Sequence, residues 1–228
     1  LQKAQMNINW LLIPTLLLAI GLFFVGQLIV GKCQETRWKV TVLALFFPLG
    51  IPGFLFPLYY LHLFDDATWF YQFRSINYIE LTAGGAGLFA GGLAEIVGKI
   101  KPSPRLSCLV LLLLGVTAPY LKPILGPVAK SKFTNRWKDG VCMQSISSSC
   151  GPASAVTILR MLGDDKVTEW EIAKASFTYR GGTENWYLAR AIRRRGHDVN
   201  YRIENGFPDD LRTPAIAGIR LDGVGHFI

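Results

Sequence analysis

The chain has 228 residues, half of them hydrophobic and 18% charged, with a formal net charge of +8 and a mean hydropathy of +0.30. Residues 1–121 carry 8 Lys+Arg and 5 Asp+Glu, against 16 and 11 in residues 122–228, so a membrane-like half precedes one of ordinary globular composition. This excludes a disordered chain, a collagen, a coiled coil and a single soluble domain, and neither half is basic enough to make nucleic acid the expected partner. Four scattered cysteines (Cys33, Cys108, Cys142, Cys150) form no CxxC pair, and no His stands at zinc-finger spacing. Neither a metal site nor a disulfide framework is expected. No cofactor is expected either, since the sequence has no GxxxxGK[ST] phosphate loop.

Crossing a hydrocarbon core roughly 30 Å thick takes about 20 uncharged residues in a helix. Trp10–Gly31 meets this cleanly, and its apolar run is too long for a signal peptide, with no small-residue cleavage site after it. Val40–Phe64 also qualifies, although Pro48, Pro52 and Pro57 predict a kink or a re-entrant break. Ile79–Gly98 has Glu80 and Glu95 near its ends, and Glu95 can reach Lys99 at i,i+4. The same segment carries Ala83, Gly87 and Gly91 at four-residue spacing, a small face that admits a close helix neighbour. The fourth segment runs from Leu106 to about Val128, and Lys122 within it can snorkel. Residues 1–130 thus read as a multi-pass α-helical membrane region of about four transmembrane helices, serving as an anchor in the bilayer. Loops one (Lys32, Arg37, Lys39) and three (Lys99, Lys101, Arg105) are basic, so the positive-inside rule puts the C-terminal half outside the cytoplasm. Lys130, Lys132, Arg136 and Lys138 oppose that orientation.

The spacing in the second half predicts a small-residue helix from Cys150 to a C-terminal Gly163. A capping box, Thr168-x-x-Glu171, opens a second helix, and Thr183 caps a third that ends on Arg193, Arg194, Arg195 and Gly196. The arginine run reads as a solvated last turn complementing the helix dipole. Strands are predicted over Asp198–Ile203 and Ala215–Leu221, then a turn at Asp222-Gly223 and a third strand opened by His226. Helices followed by antiparallel strands indicate α+β.

Cys150 starts its helix before Gly151, Pro152 and Ala153, where unbonded N–H groups favour an anion and small neighbours leave the sulfur approachable. The bland alternative is a small buried hydrophobe. Gln144, on a Ser-rich loop, can offer a side-chain N–H beside the Cys150 backbone N–H toward an oxyanion. His226 lies far downstream, as expected when nucleophile and base meet only in the fold. The other candidates are weaker. His62 ends an apolar span, and adjacent strand residues such as His197 and Asp198 point to opposite faces. Asp164, Asp165, Asp209 and Asp210 occupy turns and read as solvated. A regulatory disulfide between Cys142 and Cys150 is conceivable on an oxidising side of the membrane.

Residues Asp139 to Gln144, Ser149-Cys150-Gly151-Pro152-Ala153, Gly182-Thr183, Thr213-Pro214-Ala215-Ile216 and Gly225-His226-Phe227 together resemble the bacteriocin-processing peptidases. These are papain-like cysteine proteases that cut leader peptides after a double glycine. The resemblance covers residues 137–228. It implies a papain-like cysteine peptidase domain with Cys150 as nucleophile, His226 as general base and Gln144 as oxyanion donor. It also implies a bacterial plasma-membrane location, a peptide or leader-peptide substrate, and a transporter or other membrane protein as possible partner. In that family a third residue, an Asp, follows a further strand, so the domain is expected to be incomplete at Ile228. Two other classes stay open: a catalytically silent module binding leader segments for an export complex, and a cysteine acyltransferase.

Overall fold

The computed structural model describes residues 8–98, 103–204, 206, 208–221 and 224–228. They fall into two units, one holding Asn9–Asp65 and Tyr78–Leu121, the other Asp66–Asn77 and Lys122–Ile228.

The first unit is helical. Helix α1 spans Leu12–Lys32, and α2 spans Thr36–Leu58 and tightens to a 3-10 turn at Tyr59–Leu61. After a 3-10 segment at Ile79–Gly85 comes α4, Ala86–Gly98, and then α5, Ser103–Leu125. Among the described residues, four helical segments are long and apolar enough to cross a membrane: Leu12–Lys32, Thr36–Leu61, Ile79–Gly98 and Pro104–Leu125. Of the two expected outcomes in the second, a kink or a re-entrant break, the break does not occur, for α2 runs through Pro48, Pro52 and Pro57. Its neighbour α4 packs along it at Gly50 and Gly53, where added Cβ atoms would meet Ala86, and such packing lets a helix keep its course where prolines remove backbone bonds. The small-residue stripe divides between two neighbours. On α4, a Cβ at Gly87 or Gly91 would overlap the carbonyl oxygens of Ala19 and Phe23 on α1. Ala83, in the 3-10 segment, backs onto Gly53 of α2 instead, because a 3-10 turn breaks the four-residue repeat of an α-helix. Ala19, Phe23, Ala86, Ala94, Leu112 and Val116 form the core, and Thr15 Oγ1 lies 3.1 Å from Tyr120 Oη. Glu95 pairs with Arg105 at 3.0 Å; its expected partner, Lys99, lies outside the described residues.

The second unit contains helix α3 (Thr68–Arg74), the hairpin of β1 (Arg136–Lys138) and β2 (Val141–Met143), helices α6 (Cys150–Met161), α7 (Glu169–Ala175) and α8 (Asn185–Arg193), and a second hairpin of β3 (Gly218–Leu221) and β4 (Val224–Phe227). Among the described residues, two separate antiparallel two-stranded sheets alternate with helices. The first hairpin turns on Asp139 and Gly140, both at positive φ (49° and 79°), as a two-residue type I′ connection requires. Helix α6 ends as predicted: Gly163 takes φ 96°, and the N–H of Asp164 reaches Leu159 O at 2.9 Å, a Schellman closure. The Thr168–Glu171 capping box is present on α7. Side chains of Cys142, Val156, Leu159, Ile172, Leu188 and Ile192 build the core between these elements.

Five expectations need correction. The residue capping α8 is Glu184, not Thr183; Thr183 Oγ1 bonds Thr178 Oγ1 at 2.7 Å instead. Residues 198–203 form no strand: the backbone Val199 O accepts from Arg193 instead of from a neighbouring strand, and the Asn200 side chain accepts from Gln72 at 3.2 Å. Arg193 is therefore not solvated, and it also donates to Ser75 O at 2.9 Å. Asp164 is likewise held, by Arg195 at 2.6 Å. The third strand opens at Val224 rather than at His226, and the Asp222-Gly223 turn lies outside the described residues.

Helix α3 was not anticipated. Its Phe70 packs edge-on against Trp186 of α8, with centroids 6.4 Å apart, and the Arg74 guanidinium stacks 4.6 Å over the same indole. Arg190 of α8 donates to Arg74 O.

Candidate active site

Cys150 is the first residue of α6 and is 8% exposed. The loop before it is closed by Ser149, whose hydroxyl donates to Ile146 O at 2.9 Å and accepts from Ile146 N–H at 3.1 Å. The helical ladder starts with Ala153 N–H donating to Ser149 O at 2.9 Å. Pro152 has no N–H, so the backbone N–H groups of Cys150 and Gly151 are left at the open end of the helix, with no backbone acceptor among the described residues. An anion is favoured there by those donors and by the dipole.

Strand β4 packs against α6. The point of contact is Gly151, where an added Cβ would come 3.1 Å from the Phe227 ring and 3.3 Å from Leu188. His226 precedes Phe227, pairs across the hairpin with Ile219 and is half-buried. Strand alternation directs its ring to the face opposite Phe227. Cys150 and the strand carrying His226 thus meet at one end of α6, but no hydrogen bond joins the thiol to the imidazole among the described residues.

Gln144 is exposed and directly follows β2. Its neighbour Ser145 is clamped by Glu169, the first residue of α7 and fully buried. The Ser145 N–H donates to Glu169 Oε1 at 2.9 Å, and the Ser145 hydroxyl donates to Glu169 Oε2. Thr134 N–H donates to Ser145 Oγ at 2.9 Å, and Asn135 Oδ1 accepts from Glu169 N–H at 3.2 Å. Glu169 therefore fixes one end of the loop that joins Gln144 to Cys150. No signal in the sequence marks it, because an acid in the first turn of a helix reads as an ordinary complement to the dipole.

No family model, curated protein or solved structure matches the chain.

The second cysteine of this unit differs from the first. Cys142 is 4% exposed in the core, and its N–H donates to Thr157 Oγ1 at 3.0 Å. Burial and, to a smaller degree, the Glu169 carboxylate push its thiol up to about 11, with Arg160 opposing. Both thiols are free. Of the remaining candidates, His62 is exposed and its Nδ1 lies at hydrogen-bond distance, 3.1 Å, from Asp65 Oδ2. Among the described residues no group of three His, Cys, Asp or Glu side chains is arranged to hold a metal ion.

Proposed function

We propose that the chain is a membrane-anchored cysteine peptidase acting on peptide or leader segments. What supports this best is the packing of β4 on the first turn of α6, which gathers a buried cysteine, two backbone N–H groups with no acceptor among the described residues, and a histidine-bearing strand at one helix end. In this reading the Cys150 thiol gives its proton to a ring nitrogen of His226, and Sγ bonds the scissile carbonyl carbon. The Cys150 N–H and Gln144 Nε2 donate to the oxyanion. Collapse breaks the C–N bond as His226 protonates the leaving amine, and water then releases the acyl group from sulfur. Engaging Sγ requires the short β3–β4 hairpin to turn about its strand axis, and two-stranded hairpins are marginally stable alone.

The facing of His226 favours a second reading, a catalytically silent module that binds such segments for an export complex. A fluorogenic peptide containing a double glycine separates the two. Turnover by the wild-type chain that Cys150→Ala abolishes supports the peptidase, and equal signals from both proteins refute it.

The four apolar helices are also proposed to cross the membrane, which makes the protein multi-pass. Residues 66–77 and 122–228 form one unit, so they must lie on one side of a bilayer. That demands an even number of crossings between them, and Tyr78–Leu121 holds two candidates. The basic first loop orients this unit outside the cytoplasm. A cytoplasm-dependent reporter fused after Lys138 should then stay silent, and a signal there reverses the orientation.

A further inference from the structure

The β1–β2 hairpin has two unlike faces. Trp137 and Cys142 pair across it and turn inward to the core beside α6. The outward face carries Arg136 opposite Met143 and Lys138 opposite Val141. All four are exposed, the apolar pair to 49% at Val141 and 43% at Met143. Lys130 and Lys132, also exposed, occupy the 3-10 turn just upstream, and four residues, Gly126 to Ala129, separate this turn from the fourth apolar helix, which ends at Leu125. None of these four cations is ion-paired among the described residues.

We infer that this outward face, with Lys130 and Lys132, is a docking surface for anionic lipid headgroups. The mixture of side chains matches a bilayer boundary, where ammonium and guanidinium groups meet phosphates and short apolar side chains enter the edge of the acyl layer. The chain itself supplies the partner, since a segment that begins within a few residues of the end of a crossing helix is held near headgroups at high effective concentration. An acidic polypeptide would have to arrive from solution, and it would offer nothing to Val141 and Met143. The inference rests on the membrane-crossing reading proposed above and is independent of peptidase activity.

Amide hydrogen exchange on the full chain tests it. The protein is placed in nanodiscs of phosphatidylcholine alone and in nanodiscs with one part in three phosphatidylglycerol. Exchange over residues 136–143 should slow roughly tenfold in the anionic discs, and the slowing should vanish in high salt, which screens exposed charges. The quadruple variant K130E/K132E/R136E/K138E should lose it, with α6 amides serving as the control for folding. Should that variant misfold, V141S/M143S keeps every charge and should lose part of the slowing. Equal exchange in the two lipids overturns the inference. So does an equal slowing in neutral discs on adding inorganic phosphate or polyglutamate, which would assign the surface to a soluble anion or an acidic chain. Fast exchange over Leu12–Lys32 in both discs overturns the membrane reading together with the docking, and so distinguishes that failure from loss of docking alone.

Discussion

Alkylation should distinguish the two cysteines of the C-terminal unit by a margin set by their surroundings. With its thiol pushed up to about 11 by burial, Cys142 is ionised in about one molecule in 10⁴ at pH 7. A free cysteine near 8.5 is ionised to roughly 3%. Because the thiolate is the nucleophile, Cys142 should react roughly 300-fold more slowly than a free thiol, and slower still for being 4% exposed. Its rate should rise about tenfold per pH unit toward pH 11. Cys150, at the open end of α6 beside unbonded N–H groups, should be alkylated well before it. The assay is a timed iodoacetamide pulse on the folded chain in detergent, with each cysteine read by peptide mass spectrometry. Equal rates for the two thiols, or labelling of Cys142 as fast as a free thiol, would refute the reasoning. The same shift has a consequence for stability. A thiol whose folded-state value is raised favours the native state while both forms are protonated, so that contribution is complete below the ordinary range and is lost as pH climbs toward 11. The melting temperature of the unit should therefore fall between pH 8 and 11, and Cys142→Ala should flatten the fall.

Gln144→Ala should cut kcat about 10²- to 10³-fold with KM nearly unchanged, the usual cost of one oxyanion donor; a change confined to KM would give Gln144 a substrate-binding role instead. Glu169→Gln keeps the shape of the clamp on Ser145 but weakens two charge-assisted bonds, so thermal or denaturant unfolding should show a loss of about 2 kcal/mol. An unchanged melt would show that the clamp carries no stability. Gly91→Ala places a methyl against the Phe23 carbonyl and should destabilise the detergent-solubilised helices by about 1–3 kcal/mol. Gly21→Ala, with nothing near its added Cβ, should leave them unharmed or slightly more stable, and equal losses at both positions would contradict the close approach of α1 and α4.

Features dictated by neighbours in the chain were legible before the fold was known. The four apolar runs, the Thr168–Glu171 box and the Gly163 terminus are all decided within a few residues. The β1–β2 hairpin was not anticipated, although Asp139-Gly140 is the dipeptide that a two-residue turn selects, because strands of three residues leave almost no alternation to notice. Residues 198–203 alternate as a strand should, but the Val199 carbonyl that a ladder would use is taken by Arg193 and the Asn200 side chain is held by Gln72, which no local pattern encodes. Helix α3 escaped because its stability comes from Trp186 and Arg190, more than a hundred positions away. At the candidate site, the place of Cys150 at a helix start followed from Gly151 and Pro152. The Glu169 clamp and the facing of His226 depend on which surfaces meet in three dimensions.

The pairing of α3 with α8 imposes an order on biosynthesis. The segment Thr68–Arg74 leaves the ribosome on the order of 100 residues before Trp186, an interval of roughly 5–20 s at ordinary elongation rates. Throughout that interval the Phe70 ring and the Arg74 guanidinium have no indole to pack against, while the helices on either side are apolar enough to enter a bilayer. A nascent chain halted anywhere between α5 and α8 would present this aromatic turn uncovered, and a quality-control protease or holdase could recognise the unfinished protein by it.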